Sequence, residues 1–482
     1  MTKHILPATL LACFTSLFGD AYSVSADTLP NIVFIIADDC TFRDIGCYGG
    51  QARTPHIDKL ATEGMKFERC FQAAPMCSPT RHNIYTGLYP VRSGAYPNHT
   101  FAKPGTQSIV HFLKPHGYRV ALSGKTHIGS RKVFPFEYSG KKNPDMAAID
   151  KLFGECKSSQ TPFCLFACSN EPHSPWDKGD STVYPPNKVK LPEYIGDTPK
   201  VRQDFSKYLA EVTYFDEQVG QIDALIKKHG LVENTMFIVV SEQGNGFPFA
   251  KWTCYGNGLQ SAMLVRWPGK VKPGTVTDAL VEYVDITPTF VEAAGGQPEP
   301  KLEGKSLIPL LTGKTKVHKS FTYGLMTTRG IINGTSVYPI RTIRDKRYRL
   351  IWNLNHQAKF TNACTQSTHF QSVVEAAAKG DTHAAEVVRK YHFRPEFELY
   401  DCELDPLEQN NLAKDSQMAT IKNRLLANLQ SWMEKQGDQG IETEIEAILH
   451  LGKNRNKTRD QVFKEWEKRN KKSKSKLRQK AG

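Results

Sequence analysis

Asn31-Ile-Val-Phe-Ile-Ile-Ala-Asp-Asp39 sets six consecutive apolar residues directly before two carboxylates. A continuous apolar run, rather than an alternating one, is what a central strand buried on both faces requires. Further short apolar runs at 118–123, 163–167, 235–240 and 262–266 alternate with helical patterns at 108–114 and 284–294. A helix is predicted to follow Pro55, with Thr54 as its cap. The clearest helix lies between 204 and 228, where apolar residues fall at 205, 208, 209, 212, 215, 219, 222 and 226, the spacing of one helix face. Strand–helix alternation of this kind predicts an α/β fold: a large, mostly parallel sheet flanked by helices.

Past about residue 323 the texture changes. Residues 338–354 alternate polar and apolar, with Arg341, Arg344, Arg347 and Arg349 interleaved, which predicts antiparallel strands with one wet face. Helical patterns return at 368–379 and 418–434. The expected organisation is a larger domain over 27–325 and a smaller C-terminal α+β domain with an antiparallel sheet over 326–450, without internal repeats. The N-terminus reads differently. Lys3 and His4 precede an apolar stretch, 5–18, and small residues ending Val24-Ser25-Ala26, the pattern of a secretory signal peptide over residues 1–26. Pro7 and Gly19 would break a buried helix there. No later segment has the length of a transmembrane helix. The product is expected to be exported: periplasmic, secreted or lysosomal according to its host.

Eleven cysteines in an exported chain suggest disulfides. Cys164 and Cys168 sit on an apolar run, where buried thiols fit as well, and none shows metal-ligand spacing. The net charge of +14 is concentrated in one place: residues 453–480 hold thirteen Lys and Arg against three acids. Residues 451–482 are therefore read as a basic tail, solvated and partly disordered, or else a tether to an anionic polymer. No basic-aromatic motif accompanies it, so no nucleic-acid partner is expected.

Ligand sites of open α/β sheets lie outside the carboxyl ends of their strands. There the sequence sets Asp38 and Asp39 after the first run, Lys125 and His127 after the second, Glu171-Pro172-His173 after the third, and Glu242, Gln243 and Lys251 after the fourth. Asp38, Asp39, Glu242 and Gln243 offer oxygen alone, which suits a hard cation, calcium or magnesium, better than zinc. Between these stretches lies Ala74-Pro-Met-Cys-Ser-Pro-Thr-Arg-His-Asn-Ile-Tyr-Thr-Gly87. Pro79 suits a first helical turn, which puts Cys77 at a helix N-terminus, where an anion is favoured. Arg81 follows one turn on, on the same face.

Cys77-Ser78-Pro79-Thr80-Arg81, followed by Thr86-Gly87, resembles the signature of the formylglycine-dependent (type I) sulfatases of the alkaline phosphatase superfamily. Asp38-Asp39, Gly124-Lys-Thr-His-Ile-Gly129, Pro172-His173 and Glu242-Gln243 fall in that family's order. Lys132-Val-Phe-Pro-Phe-Glu-Tyr138, Tyr338-Pro-Ile-Arg341, Arg349-Leu-Ile-Trp-Asn-Leu-Asn355, Glu398-Leu-Tyr-Asp401 and Asp405-Pro-Leu-Glu-Gln-Asn-Asn-Leu412 are most similar to its sulfamidase branch, the N-sulfoglucosamine sulfohydrolases.

The resemblance implies oxidation of Cys77 to formylglycine (3-oxoalanine) by a formylglycine-generating enzyme. It also implies one calcium per chain, magnesium being the lesser candidate, held by Asp38, Asp39, position 77, Glu242 and Gln243. Arg81, Lys125, His127, His173 and Lys251 would bind sulfate or move protons, the roles of the two histidines being exchangeable. The substrate would be a sulfated carbohydrate, with Arg341 and Asn355 as candidate sugar contacts. Thr80, Glu242-Gln243 and Lys251 depart from the family's serine, Asp-Asn and arginine; since lysine cannot bind an anion bidentately, substrate identity stays open between a sulfate ester and a sulfamate. A phosphohydrolase of the same superfamily and a non-catalytic sugar binder are the rivals.

Overall fold

The computed structural model describes Met1 and residues 29–468. The expected signal peptide, Met1 apart, and the end of the basic tail lie outside the described residues. The strand Asn31–Cys40 is buried throughout and sits inside an eight-stranded sheet. Its order is 275–277, 65–67, 263–266, 235–243, 31–40, 163–168, 119–124, 137–139. Every pairing is parallel except the two made by Met263–Arg266, so the sheet is mostly parallel, as expected.

Alternate side chains of the first strand serve two cores. Val33 and Ile35 join one cluster, with Phe205, Leu209 and Val212 of the long helix Pro199–Lys228. Ile32, Phe34 and Ile36 join another, with Phe290 of helix Ile286–Ala293. Period-two alternation inside an all-apolar run is what a sheet covered on both faces produces. The long helix begins at Pro199, where the Thr198 side chain accepts from the Val201 amide. Thr54 does stand before helix Pro55–Glu63, but its hydroxyl bonds Asp58 Oδ1 and the Gly46 amide and caps no helical N–H.

In the smaller domain, the strands Thr322–Met326, Ile340–Arg344, Tyr348–Asn353 and Phe397–Asp401 form a four-stranded antiparallel sheet. Helix Ala419–Gln436 packs on one face through Leu425, Leu429 and Trp432, against Ile343, Leu350 and Leu399. The other face is not wet, contrary to the sequence expectation. Arg344 and Arg349 are buried there, Arg349 bonding Glu408 at 2.6 Å and both lying over Phe71 of the larger domain, while Arg341 is buried on the helix-packed face with Ile343, paired with Asp438. The face bearing Arg344 and Arg349 packs on Phe71, and its polarity reflects paired charge rather than solvent. Only Arg347, at the turn, is exposed, paired with Asp401.

All ten described cysteines are free, and the suggested disulfides are absent among the described residues. Cys164 and Cys168 point into the second core cluster, where they act as small apolar side chains.

Candidate active site

The first and fourth parallel strands are neighbours, and their carboxyl ends carry the acidic groups. Their register holds as far as Ala37 opposite Ser241 and slips before Cys40 meets Gln243. Such an irregularity re-aims side chains. Asp39 (φ 58°) and Gln243 (φ 46°) adopt left-handed backbone there, a conformation non-glycine residues hold only at a cost that the surroundings must offset. Gln243 Nε2 then donates to Asp38 Oδ1 (2.5 Å) and Asp39 Oδ1 (2.8 Å). Lys125 Nζ pairs with Asp38 Oδ2, and Lys251 Nζ reaches Asp39 Oδ2 at 2.6 Å. His173 Nε2 lies 3.5 Å from the same oxygen, while its Nδ1 faces the Ser174 carbonyl at 2.6 Å. Burial pushes the Asp38 carboxyl up, but Lys125, His173, Arg81 and Lys251 together hold it well below the usual carboxylate range.

Cys77 opens helix Cys77–Thr86, of which every residue is buried, and Gly87 (φ 64°) closes it in the left-handed conformation that glycine adopts freely. Burial first, and Asp38 next, push the Cys77 thiol up to about 12, so an unmodified thiol keeps its proton at neutral pH. Its Sγ stands 3.8 Å from Asn98 Oδ1. One turn on, Arg81 places Nε (3.2 Å) and Nη2 (2.7 Å) on a single oxygen, Glu242 Oε2, and Nη1 on the Lys125 carbonyl (2.6 Å). Its guanidinium is thus fully engaged in fixing Glu242 and the Lys125 backbone.

Whether these residues suit a cation can be tested on their unused oxygens. Glu242 Oε1 and Gln243 Oε1 are buried without a hydrogen-bond partner. Such atoms are rare because each carries a desolvation cost. Among the described residues no three of His, Cys, Asp and Glu form a ready cluster, because the Gln243 amide nitrogen and the two lysines hold the carboxylates. Turning the Gln243 amide over, so that its oxygen and nitrogen exchange places, would bring a third oxygen toward Asp38 and Asp39. Only a cation would make that arrangement favourable. The donor set, oxygen throughout, fits a hard divalent ion.

The site opens into a cavity of about 790 Å³ whose lining includes Asp39, Cys77, His127, His173 and Lys251. Of the expected catalytic residues, Arg81 and Lys125 lie behind this surface. Asn98 and His99, not foreseen from sequence, also line it. His99 (φ 55°) sets Nδ1 2.9 Å from Nε2 of His127. Burial first, then Lys125, His99 and Arg81, hold His127 well below the usual histidine range, so it is neutral, with a buried and unpartnered Nδ1. The loop is braced from far along the chain: the Gly452 amide donates to the His99 carbonyl (2.8 Å) and Thr100 Oγ1 to the His450 carbonyl (2.8 Å). No motif marks Asn98-His99 in sequence; Asn98 opens an Asn-X-Thr triplet, but it is buried.

Arg341 and Asn355, the expected sugar contacts, are engaged within the protein. The Arg341 side chain has no exposure and is paired to Asp438, and Asn355 donates to the Val337 carbonyl (2.7 Å). Neither lines the cavity.

The sulfatase family profile matches residues 30–296, and a profile described as the C-terminal part of N-sulphoglucosamine sulphohydrolase matches 244–367. An ulvan-active sulfatase of Formosa agariphila is 33% identical, over 85% of this chain and 81% of the relative. Human N-sulphoglucosamine sulphohydrolase is 27% identical, over 85% of this chain and 91% of its own. A solved structure in complex with its substrate D-glucosamine-2-N,6-O-disulfate superposes with a TM-score of 0.67 at 20% identity, covering 86% of this chain and 99% of that one. Strand-end carboxylates, a buried helix opened by Cys77 and a profile match over most of the larger domain agree: this chain belongs to the sulfatase family, the sulfuric ester hydrolases of the alkaline phosphatase superfamily.

Proposed function

We propose that the chain is an exported sulfatase that hydrolyses a sulfate ester or sulfamate of a sulfated carbohydrate, with Cys77 matured to formylglycine beside one bound calcium. The observation that carries this reading is the pair of bare buried oxygens, Glu242 Oε1 and Gln243 Oε1, close to a helix whose first residue is Cys77. Asp38, Asp39, Glu242, Gln243 and position 77 would hold the ion. When present, the ion and the hydrated aldehyde together supply an acidified hydroxyl as nucleophile toward sulfur.

The chain's own residues do the rest. Lys251 brings positive charge to the cavity wall where sulfate oxygens would lie, and Lys125 adds to it from behind, both held by carboxylates rather than by solvent. Arg81 locks Glu242 in place through two bonds to one oxygen. Neutral His127 takes up a proton in the cavity, steadied by His99 at its Nε2. His173 meets the Ser174 carbonyl through Nδ1, leaving Nε2 to hold or release a proton toward the leaving group.

Two matches point to different substrates: an ulvan-active sulfatase is 33% identical, whereas the C-terminal profile is described as that of N-sulphoglucosamine sulphohydrolase. Release of sulfate from N-sulfoglucosamine, compared with 2-, 3- and 6-O-sulfated N-acetylglucosamine and a sulfated ulvan fragment, decides between them. Mass spectrometry of the tryptic peptide containing position 77 tests the nucleophile: active protein with an intact thiol would overturn it. No described helix is long and apolar enough to cross a membrane.

A further inference from the structure

His369 is the second residue of helix Thr368–Ala378, on the smaller domain, and it lines the cavity that contains Cys77. It is only 5% exposed. Its ring is packed against Phe247 and Trp176, with centroids at 4.6 and 5.9 Å. Nδ1 lies 3.3 Å from Asp204 Oδ2, which fixes the ring, while Nε2 is buried with no partner. A packed imidazole with one nitrogen tethered and the other buried and bare has unused hydrogen-bonding capacity that calls for a partner.

Positive charge surrounds it. The N-cap Ser367 and Thr368 line the same cavity, so the positive end of the helix dipole faces it. Lys200 and Lys207, both on helix Pro199–Lys228, line it as well. Lys200 Nζ holds the other oxygen of Asp204 at 2.7 Å, which neutralises that carboxylate. Among the described residues Lys207 has no carboxylate partner.

We propose that this wall is a second anion subsite: His369, donating from Nε2–H while Nδ1–H stays on Asp204, the first turn of helix Thr368–Ala378 and Lys207 bind a carboxylate or a further sulfate carried by the saccharide whose scissile sulfate lies at position 77. This rests on the reading of Cys77 as the sulfatase centre. The subsite selects substrates with at least two anionic groups, and it is built by a residue of the smaller domain, outside the motifs of the larger one.

The test is a ratio of kcat/KM values. A sulfated disaccharide bearing a uronate is compared with its carboxyl-reduced form, and a disulfated glucosamine with its monosulfated form. Wild-type protein is expected to prefer the more anionic member of one pair by about tenfold, the worth of one charge-assisted hydrogen bond, and the pair affected identifies the anion. His369→Ala and Lys207→Ala are expected to bring that ratio close to one. A wild-type ratio near one, or a ratio unchanged in both variants, overturns the proposal. Misfolding of His369→Ala would lower both members equally and leave the ratio intact, and exposed Lys207 supplies the independent reading. If no sulfate is turned over at all, the sulfatase centre has failed rather than the subsite. Calorimetric binding of the same pairs to wild type and Lys207→Ala then gives the ratio without turnover.

Discussion

Arg81 with Glu242 and Arg341 with Asp438 are both arginine–carboxylate pairs whose side chains have no solvent exposure. In the smaller domain the match is two to two: Arg341 Nε meets Asp438 Oδ2, Nη2 meets Oδ1 at 2.9 Å, and the Gly440 amide adds a further bond to Oδ1. In the larger domain two guanidinium nitrogens converge on Glu242 Oε2, and Oε1 is left bare. Buried charge is present in both places, so burial does not separate scaffold from site. Between these two pairs the difference is unused hydrogen-bonding capacity. A saturated pair can only stabilise, whereas an unsaturated one keeps an oxygen for a ligand.

The contrast yields expectations of falling size. Cys77→Ala should lower kcat by about 10⁴-fold or more, as removal of a covalent nucleophile does, with an unfolding midpoint close to wild type; comparable residual turnover would remove position 77 from the chemistry. Arg341→Ala should do the reverse, costing about 3–5 kcal/mol in urea unfolding because Asp438 is stranded, while turnover per folded molecule stays unchanged. A loss of turnover without a loss of stability would erase the distinction between the two pairs. Glu242→Gln keeps the shape but weakens the ion's ligand, so calcium affinity measured by calorimetry should fall about 10–100-fold. An unaltered affinity would mean that the bare oxygen serves no cation.

The smallest effect concerns the C-terminal segment. Cutting after residue 468 should leave turnover of a small aryl sulfate within about twofold. Cutting after Leu451 removes the Gly452 bond to the loop bearing His99, and one such bond is worth about 0.5–1.5 kcal/mol, a several-fold fall in kcat. Equal rates for both truncations would show that the brace is idle.

Much of the larger domain was legible because its signals are local. The apolar run 32–37, the helix periodicity after 204 and the polar residues that follow each strand all report on their immediate surroundings. Helix Pro199–Lys228 and the strands Phe163–Cys168 and Thr235–Gln243 fall where the spacing put them, with ends shifted by a few residues. Residues whose meaning depends on distant partners were misread or missed. Alternation at Arg341, Arg344 and Arg349 looked like a wet face because Asp438, Glu408 and Phe71, which bury them, lie far off in sequence. Asn98, His99 and His369 belong to no spacing pattern at all. Helix Met146–Ser159, capped by Asp145 through the Ala148 amide, went unassigned because only one modest apolar stripe marks it.

The Thr100–His450 bond joins residues separated by 350 positions. During synthesis the loop that bears His99 is therefore made early and waits for this brace until almost all the chain described here has been translated. Helix 77–86 and the strand-end carboxylates can assemble before then, but the wall carrying His99 cannot. The surroundings of Cys77 can therefore form first and the wall carrying His99 last, so a ribosome-bound or prematurely ended chain would have the cavity floor without the finished cavity.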